Sequence, residues 1–405
     1  MSKRLKVLIS AYACEPGKGS EPEIGWQWSH QIARFHDVTV LTRANNKQAI
    51  TDEIGSTKKP APHFLYHDLS GPVASLKKRF RLHKFYYLLW QRSARVTIAR
   101  LVRSKKFDLI HHLTYTGARY PTATFGHGVP CLWGPVGGLE STPSMLLPWK
   151  YPRALAEELM RNTDDQRVLI SGRLRRAGAK GLHVISATPE TMLAFKRQSV
   201  DTTLLPFVGI SPADFPKHEP IPAEHLRLIF VGRILWWRGV EFALRALAVS
   251  KSNTTLTFVG NGKFLPSARL LTCELGLERR VQFIDAMPRL KLLTLLRNFD
   301  AMIIPSLHET GGFAALEGMA TGLPVICLDR GAPRVVVTDG CGIRVSLSNQ
   351  RDLISHLAEA ITAYANNSTL LRNAGIAARK HALTRYNWDQ QGEEMNSIYA
   401  NLIGE

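Results

Sequence analysis

Residues 305–325, PSLHETGGFAALEGMATGLPV, place two acids and a glycine pair in one strand–loop–helix unit. The preceding run 300–304, DAMII, predicts a buried parallel strand because it is short and apolar. Residues 310–313 are typical of a tight loop, and residues 313–321 predict a short helix that closes at Gly322, two residues before Pro324. Free N–H groups in a loop that enters a helix N-terminus form a site for anions and polar ligands.

The two acids of this unit are Glu309 and Glu317. Glu309 lies at the mouth of the predicted site, and Glu317 lies about two turns along the helix. Such a pair can hold hydroxyl groups of a sugar or a ribose on either side of a bound phosphate. The alternative is that Glu309 caps the helix and Glu317 is an exposed helix residue. The glycine pair and the flanking prolines favour the ligand-binding interpretation.

Length and composition indicate a globular protein of two domains. A chain of 405 residues is too long for one compact core, and 45% of its residues are hydrophobic. The five cysteines lie far apart without a C-x-x-C pair, which disfavours a disulfide framework or a zinc site and indicates a reducing compartment. The basic N-terminus precedes only a short apolar run, so we expect a first buried strand and not a signal peptide. These features predict a cytoplasmic location.

The net charge of +19 is concentrated in one segment. Residues 77–106 contain 11 Lys and Arg and no acid, interleaved with aromatic and aliphatic residues. Such a helix can lie on an anionic membrane surface, can pack its apolar face into the core, or can bind nucleic acid. The first two are compatible, since one face can pack while the other meets lipid. We expect an anionic membrane partner at the inner face of the cell membrane, and no nucleic acid.

Predicted strands alternate with helices along the chain, which indicates an α/β fold with parallel sheets. We expect two doubly wound, Rossmann-like domains, spanning residues 1–205 and 206–387, joined by a proline-rich linker, with a final helix at 388–405 near Trp388 that returns to the first domain. Open sheets of this type bind ligands at the carboxyl ends of their strands, so the site is expected in the cleft between the domains. The predicted strands are 6–10, 37–41, 109–112, 183–186, 226–231, 255–259, 281–284, 301–304 and 324–327.

Residues 230–239, FVGRILWWRG, follow the strand that opens the second domain. Gly232 is followed by Arg233 and Arg238, two cations five residues apart that suit a diphosphate, because the guanidinium fork binds phosphate oxygens in pairs. The alternative is that both are surface arginines beside a core strand. We expect Arg233 and Arg238 to bind donor phosphate.

Three further glycine loops follow predicted strands. Residues 257–262, TFVGNG, form either a structural turn or a wall for a nucleotide base. Residues 14–25, CEPGKGSEPEIG, let backbone approach a ligand closely. Residues 133–140, WGPVGGLE, form either a plain turn or an acceptor loop. The candidate ligand-contacting residues in these loops are Gly260, Gly262, Gly17, Gly19, Ser20, Gly137 and Gly138.

The 305–325 string resembles the acid-x7-acid signature of family 4 of the retaining glycosyltransferases, and the resemblance extends over most of the chain. It implies the two-domain GT-B fold, a nucleotide-sugar donor in the second domain and retention of anomeric configuration. Arg238 stands where the family usually has Lys, which keeps the charge but changes the contact geometry. The resemblance assigns Glu309 to the donor sugar, backbone groups of Gly311, Gly312 and Phe313 to the donor, and Glu317 to the ribose.

The resemblance also points to a histidine that follows an Asp and two apolar residues and contacts the transferred sugar from the first domain. His111 occupies that position, and His112 is its rival, because alternation along a strand directs neighbours to opposite faces. The acceptor is expected to be a saccharide or lipid-linked saccharide, in the assembly of cell-surface polysaccharide or lipopolysaccharide.

Motifs that are absent narrow the reaction class. The chain has no D-x-D, so we expect no divalent metal ion, and we expect no other cofactor. It also has no G-x-S-x-G and no H-E-x-x-H, which disfavours the commonest hydrolases and zinc peptidases. Neither the loop at residues 14–25 nor the loop at residues 257–262 completes the G-x-G-x-x-G motif, which disfavours a dehydrogenase. Two alternatives stay open: a sugar-nucleotide epimerase on the same fold, and a non-catalytic carbohydrate- or lipid-binding partner.

Overall fold

The computed structural model of the protein describes residues 3–56, 61–69, 83–120, 122–217 and 224–404. These residues form two parallel β-sheets, and helices connect most successive strands, whereas a segment without a described helix joins β4 and β5. The first sheet has seven strands in the order β3-β2-β1-β4-β5-β6-β7, and the second has six in the order β10-β9-β8-β11-β12-β13. The prediction of two doubly wound α/β domains is therefore confirmed.

The first sheet lies within residues 6–204. Its strands are β1 (Lys6–Ser10), β2 (Asp37–Thr42), β3 (His63–Tyr66), β4 (Leu109–His112), β5 (Cys131–Val136), β6 (Leu182–Ser186) and β7 (Asp201–Leu204). The helices of this part are α1 (Ser20–Ala33), α2 (Lys47–Ser56), α3 (His83–Ser104), α4 (Pro152–Ile170), α5 (Arg173–Gly178) and α6 (Pro189–Lys196).

The second sheet begins after the linker. Its strands are β8 (Leu226–Val231), β9 (Thr254–Val259), β10 (Val281–Ile284), β11 (Ala301–Ile304), β12 (Val325–Leu328) and β13 (Gly342–Val345). The helices are α7 (Val240–Val249), α8 (Leu265–Glu274), α9 (Arg289–Leu296), α10 (Phe313–Thr321), α11 (Gly331–Val336), α12 (Gln350–Asn366), α13 (Ser368–Arg385) and α14 (Trp388–Ile403). The predicted division at residues 205 and 206 falls between the two sheets.

The predicted strand–loop–helix unit is present with the expected bounds. All four residues of β11 are buried, because helices cover both faces of the sheet. Helix α10 starts after Gly312 and ends before Gly322, and both glycines have left-handed backbone, with φ of 69° and 99°. A residue with a Cβ is strained in that conformation, so the sequence fixes both ends of the helix.

Strand order brings the candidate loops together. In the first sheet β1 pairs with both β2 and β4, and in the second β8 pairs with both β9 and β11. Connections leave these central strands in opposite directions, which opens a crevice at their carboxyl ends. The loops after β1 and β4 therefore lie side by side, as do the loops after β8 and β11.

The C-terminal helix packs on the first domain. Asn387 caps α14 by accepting a hydrogen bond from the N–H of Gln390 at 2.8 Å, which separates this helix from α13. The Trp388 ring meets Trp28 of α1 edge-on, with 5.6 Å between ring centroids. Trp28 in turn donates through Nε1 to the carbonyl of Phe207 in the linker at 3.0 Å. The two indoles thus join α1, α14 and the linker.

Candidate active site

Glu309 is held at the N-terminus of α10 by backbone groups. Its Oε1 accepts hydrogen bonds from the N–H groups of Gly311 at 3.2 Å and Gly312 at 3.1 Å. Bonds from N–H donors to a charged carboxylate are strong, and the helix dipole favours negative charge at this end. The loop therefore forms an anion-binding cradle, in which the carboxylate of Glu309 itself is bound.

The second oxygen of this carboxylate forms an ion pair with a cation from the neighbouring loop. Arg238 contacts Glu309 Oε2 through Nη1. Its guanidinium lies over Gly232, where an added Cβ would come within 3.4 Å of Nη2. Burial and the nearby charge of Arg233 lower the pKa of Arg238 to about 10, so the group stays protonated at neutral pH.

Arg233 lies next to Arg238 and is exposed. No described residue forms a hydrogen bond or ion pair with its guanidinium, so its five donors face solvent. The structure thus brings Arg233, Arg238, Glu309 and the glycine pair to one point. Phe313 is half-buried at the start of α10, with its ring beside Gly311.

Glu317 lies on the buried side of α10 and is already paired. Its Oε1 accepts from Arg289 Nε at 2.6 Å, and Arg289 Nη1 also contacts Asp214 of the linker at 2.8 Å. Burial raises the pKa of Glu317, and the charge of Arg289 opposes that rise. A ribose that reaches Glu317 would therefore share its carboxylate with Arg289.

Gly260 and Gly262 have a packing reason to be glycine. An added Cβ would lie 2.0 Å from the carbonyl oxygen of Gly232 at Gly260, and 2.1 Å from that of Ile234 at Gly262. These glycines let the turn after β9 pack directly on the phosphate-loop candidate after β8. These contacts agree with the interpretation of residues 257–262 as a structural turn. A role of this turn as a wall for the nucleotide base stays a prediction.

The loop after β1 is partly exposed and adopts unusual backbone. Gly17, Gly19 and Ser20 have φ of 68°, 69° and 52°. The N–H of Gly17 donates to Glu23 Oε2 at 2.7 Å, which closes the loop onto the first turn of α1. Contact of these three residues with the donor phosphate or the acceptor stays a prediction.

The loop after β5 meets the Glu309 loop across the cleft. An added Cβ at Gly137 would lie 2.5 Å from Thr310 Cγ2, and Gly138 has φ of 98°. Glycine is thus required at position 137 for the close approach of the two domains. The structure brings Gly137 and Gly138 to the candidate donor site.

The assignment of His111 to the sugar site needs correction, and His112 does not replace it. Both side chains are buried. His111 Nε2 lies 2.8 Å from the carbonyl oxygen of Gly134, and Nδ1 lies 2.7 Å from Tyr399 Oη. A carbonyl can only accept, so Nε2 carries the proton and Tyr399 donates to Nδ1. Both ring nitrogens are therefore occupied within the protein.

His112 is equally enclosed, because it bonds Thr122 Oγ1 at 2.8 Å and the carbonyl of Thr114 at 3.0 Å. Alternation along β4 does direct the two rings to opposite faces, but packing covers both faces of this parallel sheet. Burial lowers the pKa of His111 to about 4 and that of His112 to about 3. Through Tyr399 and Gly134, His111 joins α14 to β5.

A buried polar cluster supports the Glu309 loop from the other domain, and sequence reasoning missed it. His308 Nε2 lies 2.8 Å from Oε2 of Glu158 on α4, and Thr142 Oγ1 donates to the same oxygen at 2.5 Å. Burial lowers the pKa of His308, so the neutral ring donates through Nε2–H. The partners are more than a hundred residues apart, and no local pattern links them.

A second bridge uses Arg330. Its Nε donates to the carbonyl of Leu307 at 2.8 Å, and Nη2 donates to the carbonyl of Ser141 at 2.7 Å. Nearby, Glu190 of α6 accepts from the N–H of Gly331 at 3.3 Å. The loop that carries Glu309 is thereby fixed against the first domain at several points.

Beside His308 lies a cleft of about 370 Å³. Its described lining includes residues that sequence reasoning did not select. They are Glu21, Tyr115, Tyr120, Arg161, Trp237 and Thr310. In the described ranges, no three His, Cys, Asp or Glu side chains are grouped to hold a metal ion. Within the same ranges, no helix is long and apolar enough to cross a bilayer.

Comparison with known proteins agrees with this geometry. Residues 213–381 match the model of the family described as glycosyl transferases group 1. An uncharacterized glycosyltransferase of Methanocaldococcus jannaschii is 26% identical over 189 residues, which cover 46% of this chain and 47% of the relative. A D-inositol 3-phosphate glycosyltransferase of Mycobacterium tuberculosis is 31% identical over 193 residues, 46% of this chain and 39% of the relative. The matches thus span less than half the length of these curated relatives.

Solved structures resemble the whole chain in fold. Sucrose-phosphate synthase from Thermosynechococcus elongatus aligns with a TM-score of 0.68 at 18% identity, over 99% of this chain and 100% of that one. Anabaena HepE in complex with UDP and glucose aligns with a TM-score of 0.62 at 16% identity, over 98% and 100%. WaaG, a glycosyltransferase involved in lipopolysaccharide biosynthesis, aligns with a TM-score of 0.58 at 17% identity, over 98% and 100%. The fold is that of the GT-B glycosyltransferases.

The buried His111 predicts a specific pH dependence of stability. Its pKa is about 4 in the folded state, against 6.5 as the ordinary value. The unfolded chain therefore takes up this proton first, and the free energy of unfolding should fall as pH drops from 6.5 to 4, by up to about 3 kcal/mol for this group. Above pH 6.5 the residue should contribute no slope.

Urea unfolding between pH 4 and 7.5 measures this effect. The variant His111→Gln, which keeps a donor and an acceptor, should lose part of the acid slope of the wild type. His356→Asn removes an exposed imidazole on α12 and serves as the control, with an unchanged slope. An identical slope in His111→Gln and wild type would contradict the burial of a neutral imidazole.

Proposed function

We propose that the protein transfers a sugar from a nucleotide-sugar donor to a hydroxyl group of an acceptor, with retention of configuration. One observation carries this proposal. The carboxylate of Glu309 lies between the Gly311 and Gly312 N–H groups and Arg238, at the crevice of the second sheet. The arrangement falls in the segment that matches the group 1 glycosyl transferases. It provides both anion binding and an acceptor for sugar hydroxyls at one point.

The diphosphate of the donor would bind Arg233 and Arg238. The exposed guanidinium of Arg233 lies beside that of Arg238, and together they would supply two positive charges for a phosphate leaving group. The N–H groups of the α10 terminus add fixed dipoles. Charge developing on the leaving diphosphate would be stabilised by groups that are already oriented, which is usually a large catalytic contribution.

Donor binding would change the partners of Glu309. Phosphate competes with its carboxylate for Arg238, so the carboxylate would turn toward hydroxyl groups of the transferred sugar. Glu317, held by Arg289, would accept hydrogen bonds from the ribose. Phe313 and the turn with Gly260 and Gly262 would border the nucleoside.

Transfer would pass through an oxocarbenium-like state, as in glycoside hydrolysis. We propose a same-face, internal-return route, in which acceptor oxygen attacks from the side that the diphosphate leaves. No covalent protein nucleophile takes part in this route. The bridges made by His308 and Arg330 keep the domains together around the reaction and would limit hydrolysis of the donor by water.

We further propose that no metal ion is required, because the arginine pair supplies the positive charge at the diphosphate. The acceptor would be a saccharide or lipid-linked saccharide of cell-surface polysaccharide assembly. This pathway is supported by the structural neighbour WaaG, which is involved in lipopolysaccharide biosynthesis. His111 has no direct part in this scheme.

The basic segment supports a location on the inner face of the cell membrane, in the cytoplasm. Residues 77–82 of this segment lie outside the described ranges. From residue 84 onward, α3 buries the apolar side chains of Tyr86, Tyr87, Trp90, Ala94 and Ile98, whereas Phe85 and Val96 are exposed. Its exposed residues are mostly basic, namely Lys84, Arg92, Arg95, Arg100 and Arg103. One side of the helix thus packs in the core, and the exposed basic residues on the other side could meet anionic lipid, although Arg95 also donates to the carbonyl of Phe125 at 2.8 Å.

Nucleotide binding tests the donor site. Thermal unfolding of the protein with UDP, GDP, ADP, dTDP or CMP in EDTA should show a raised melting temperature with one of them, because a ligand of the folded state stabilises it. Arg233→Ala should abolish the shift, since it removes the free phosphate-binding guanidinium. Arg372→Ala removes an exposed arginine of α13 and should leave the shift unchanged.

Two outcomes would count against this part of the proposal. If no nucleotide raises the melting temperature, the second domain is not a donor site of the proposed kind. If the shift appears only after a divalent cation is added, a metal-independent site is excluded.

Binding to vesicles tests the membrane surface. The triple variant Arg92→Ser, Arg100→Ser and Arg103→Ser should bind phosphatidylserine vesicles at low salt roughly a hundredfold more weakly, at about 1 kcal/mol per charge. A variant with Arg153, Arg197 and Arg372 changed to Ser loses the same charge elsewhere and should bind like wild type. Equal binding of the two triple variants in a vesicle flotation assay would contradict the hypothesis that α3 binds the membrane.

A further inference from the structure

The wall of the cleft that belongs to the first domain presents Tyr115, Tyr120 and Glu21. Trp237 lies on the opposite wall, next to the loop of Arg238. A volume of about 370 Å³ is in the range of small-molecule sites. Aromatic rings and a carboxylate around such a cleft suit a polyhydroxylated ligand, which offers C–H faces for stacking and hydroxyl groups for hydrogen bonding.

Tyr115 is held in a strained conformation that exposes its ring. Its φ is 58°, the left-handed region that a bulky residue rarely adopts. Its carbonyl accepts from Tyr87 Oη at 2.9 Å, and the ring packs edge-on against Tyr12 with 4.9 Å between centroids. The side chain is nevertheless 44% exposed. Strain of this kind persists where the surroundings fix it, and it is common at ligand sites.

Glu21 lies beside this ring with one oxygen available. Its Oε2 accepts from the N–H of Tyr115 at 3.2 Å. Oε1 forms no hydrogen bond with any described residue, and no described cation pairs with this carboxylate. Burial raises the pKa of Glu21, while the hydrogen bond from Tyr115 opposes the rise. The free oxygen can accept a hydrogen bond from a ligand hydroxyl group.

The charge of the cleft disfavours a phosphorylated ligand. Among its described lining residues, Arg161 alone carries a permanent positive charge. That guanidinium is already engaged, because it lies 4.5 Å from the Trp237 ring centroid and pairs with Glu158 at 3.4 Å. A phosphate next to the carboxylate of Glu21 would meet like charge without a free cation to compensate.

We propose that this wall binds an uncharged sugar ring of the acceptor, stacked on Tyr115 and donating a hydroxyl hydrogen bond to Glu21. The inference rests on the proposed glycosyl transfer, because it assigns the acceptor side of that reaction. The acceptor ring nearest the donor would then be a neutral glycoside and not a ring that carries a phosphate group.

Saturation-transfer difference NMR tests this assignment on the full chain with UDP present. The probes are methyl glycosides of glucose, galactose, mannose and N-acetylglucosamine, set against glucose 6-phosphate and myo-inositol 3-phosphate. At least one neutral glycoside should receive saturation, and the phosphates should not displace it. Tyr115→Asn, which tolerates left-handed backbone but lacks the ring, should weaken binding about tenfold, and so should Glu21→Gln, which replaces a charged acceptor.

Matched variants separate binding from folding. Tyr115→Phe keeps the ring and should bind like wild type, and Phe85→Ala removes an exposed ring on α3 and should have no effect. Binding of a sugar phosphate in place of every neutral glycoside, no binding by any glycoside, or wild-type binding in Tyr115→Asn would overturn the assignment. Loss of nucleotide binding in the wild type would instead contradict the donor site, whatever the glycosides do.

Discussion

The rest of the site depends on the hydrogen bonds and the ion pair that hold the carboxylate of Glu309. One oxygen is bound by two backbone N–H groups at the start of α10, and the other pairs with Arg238 from the neighbouring loop. The parallel sheet makes this contact possible, because β8 and β11 are adjacent and their loops leave at the same edge. A sheet with these strands apart would separate the cation from the helix terminus.

The same loop is fixed from the other side by buried polar groups. His308 precedes Glu309 and is hydrogen-bonded to Glu158 of the first domain, while Arg330 joins the carbonyls of Leu307 and Ser141. Removing one partner of such a buried contact leaves the other without compensation, so the bridges are costly to break. The position of Glu309 therefore depends on contacts from both domains.

The sequence predicted those parts of the site for which residues close together in the chain form a recognisable pattern. Helix α10 was predicted because its glycines and proline fix both ends, and most central strands were predicted because they are short, apolar runs. The central strand β5 was not given bounds, since Gly134 and Pro135 interrupt its apolar run. The edge strands β3, β7 and β13 were not predicted, since half-exposed edges carry mixed residues without a clear pattern. The prediction that His111 contacts the sugar was wrong, because the alternation of side chains along a strand indicates which face a residue lies on but not which elements cover that face. The pairs His308–Glu158 and Arg289–Glu317 join distant residues, and no spacing rule predicts them.

Turnover by Glu309→Gln tests the central claim most directly. Release of nucleotide from a nucleotide-sugar that the wild type uses should be followed for both proteins, together with nucleotide affinity and the melting temperature. We predict that the variant folds, still binds nucleotide and loses at least about a hundredfold in turnover, as expected when one fixed electrostatic contact to the reacting group is removed. Turnover within a few-fold of wild type, in a variant that folds and binds normally, would contradict the role of this carboxylate and the site built around it.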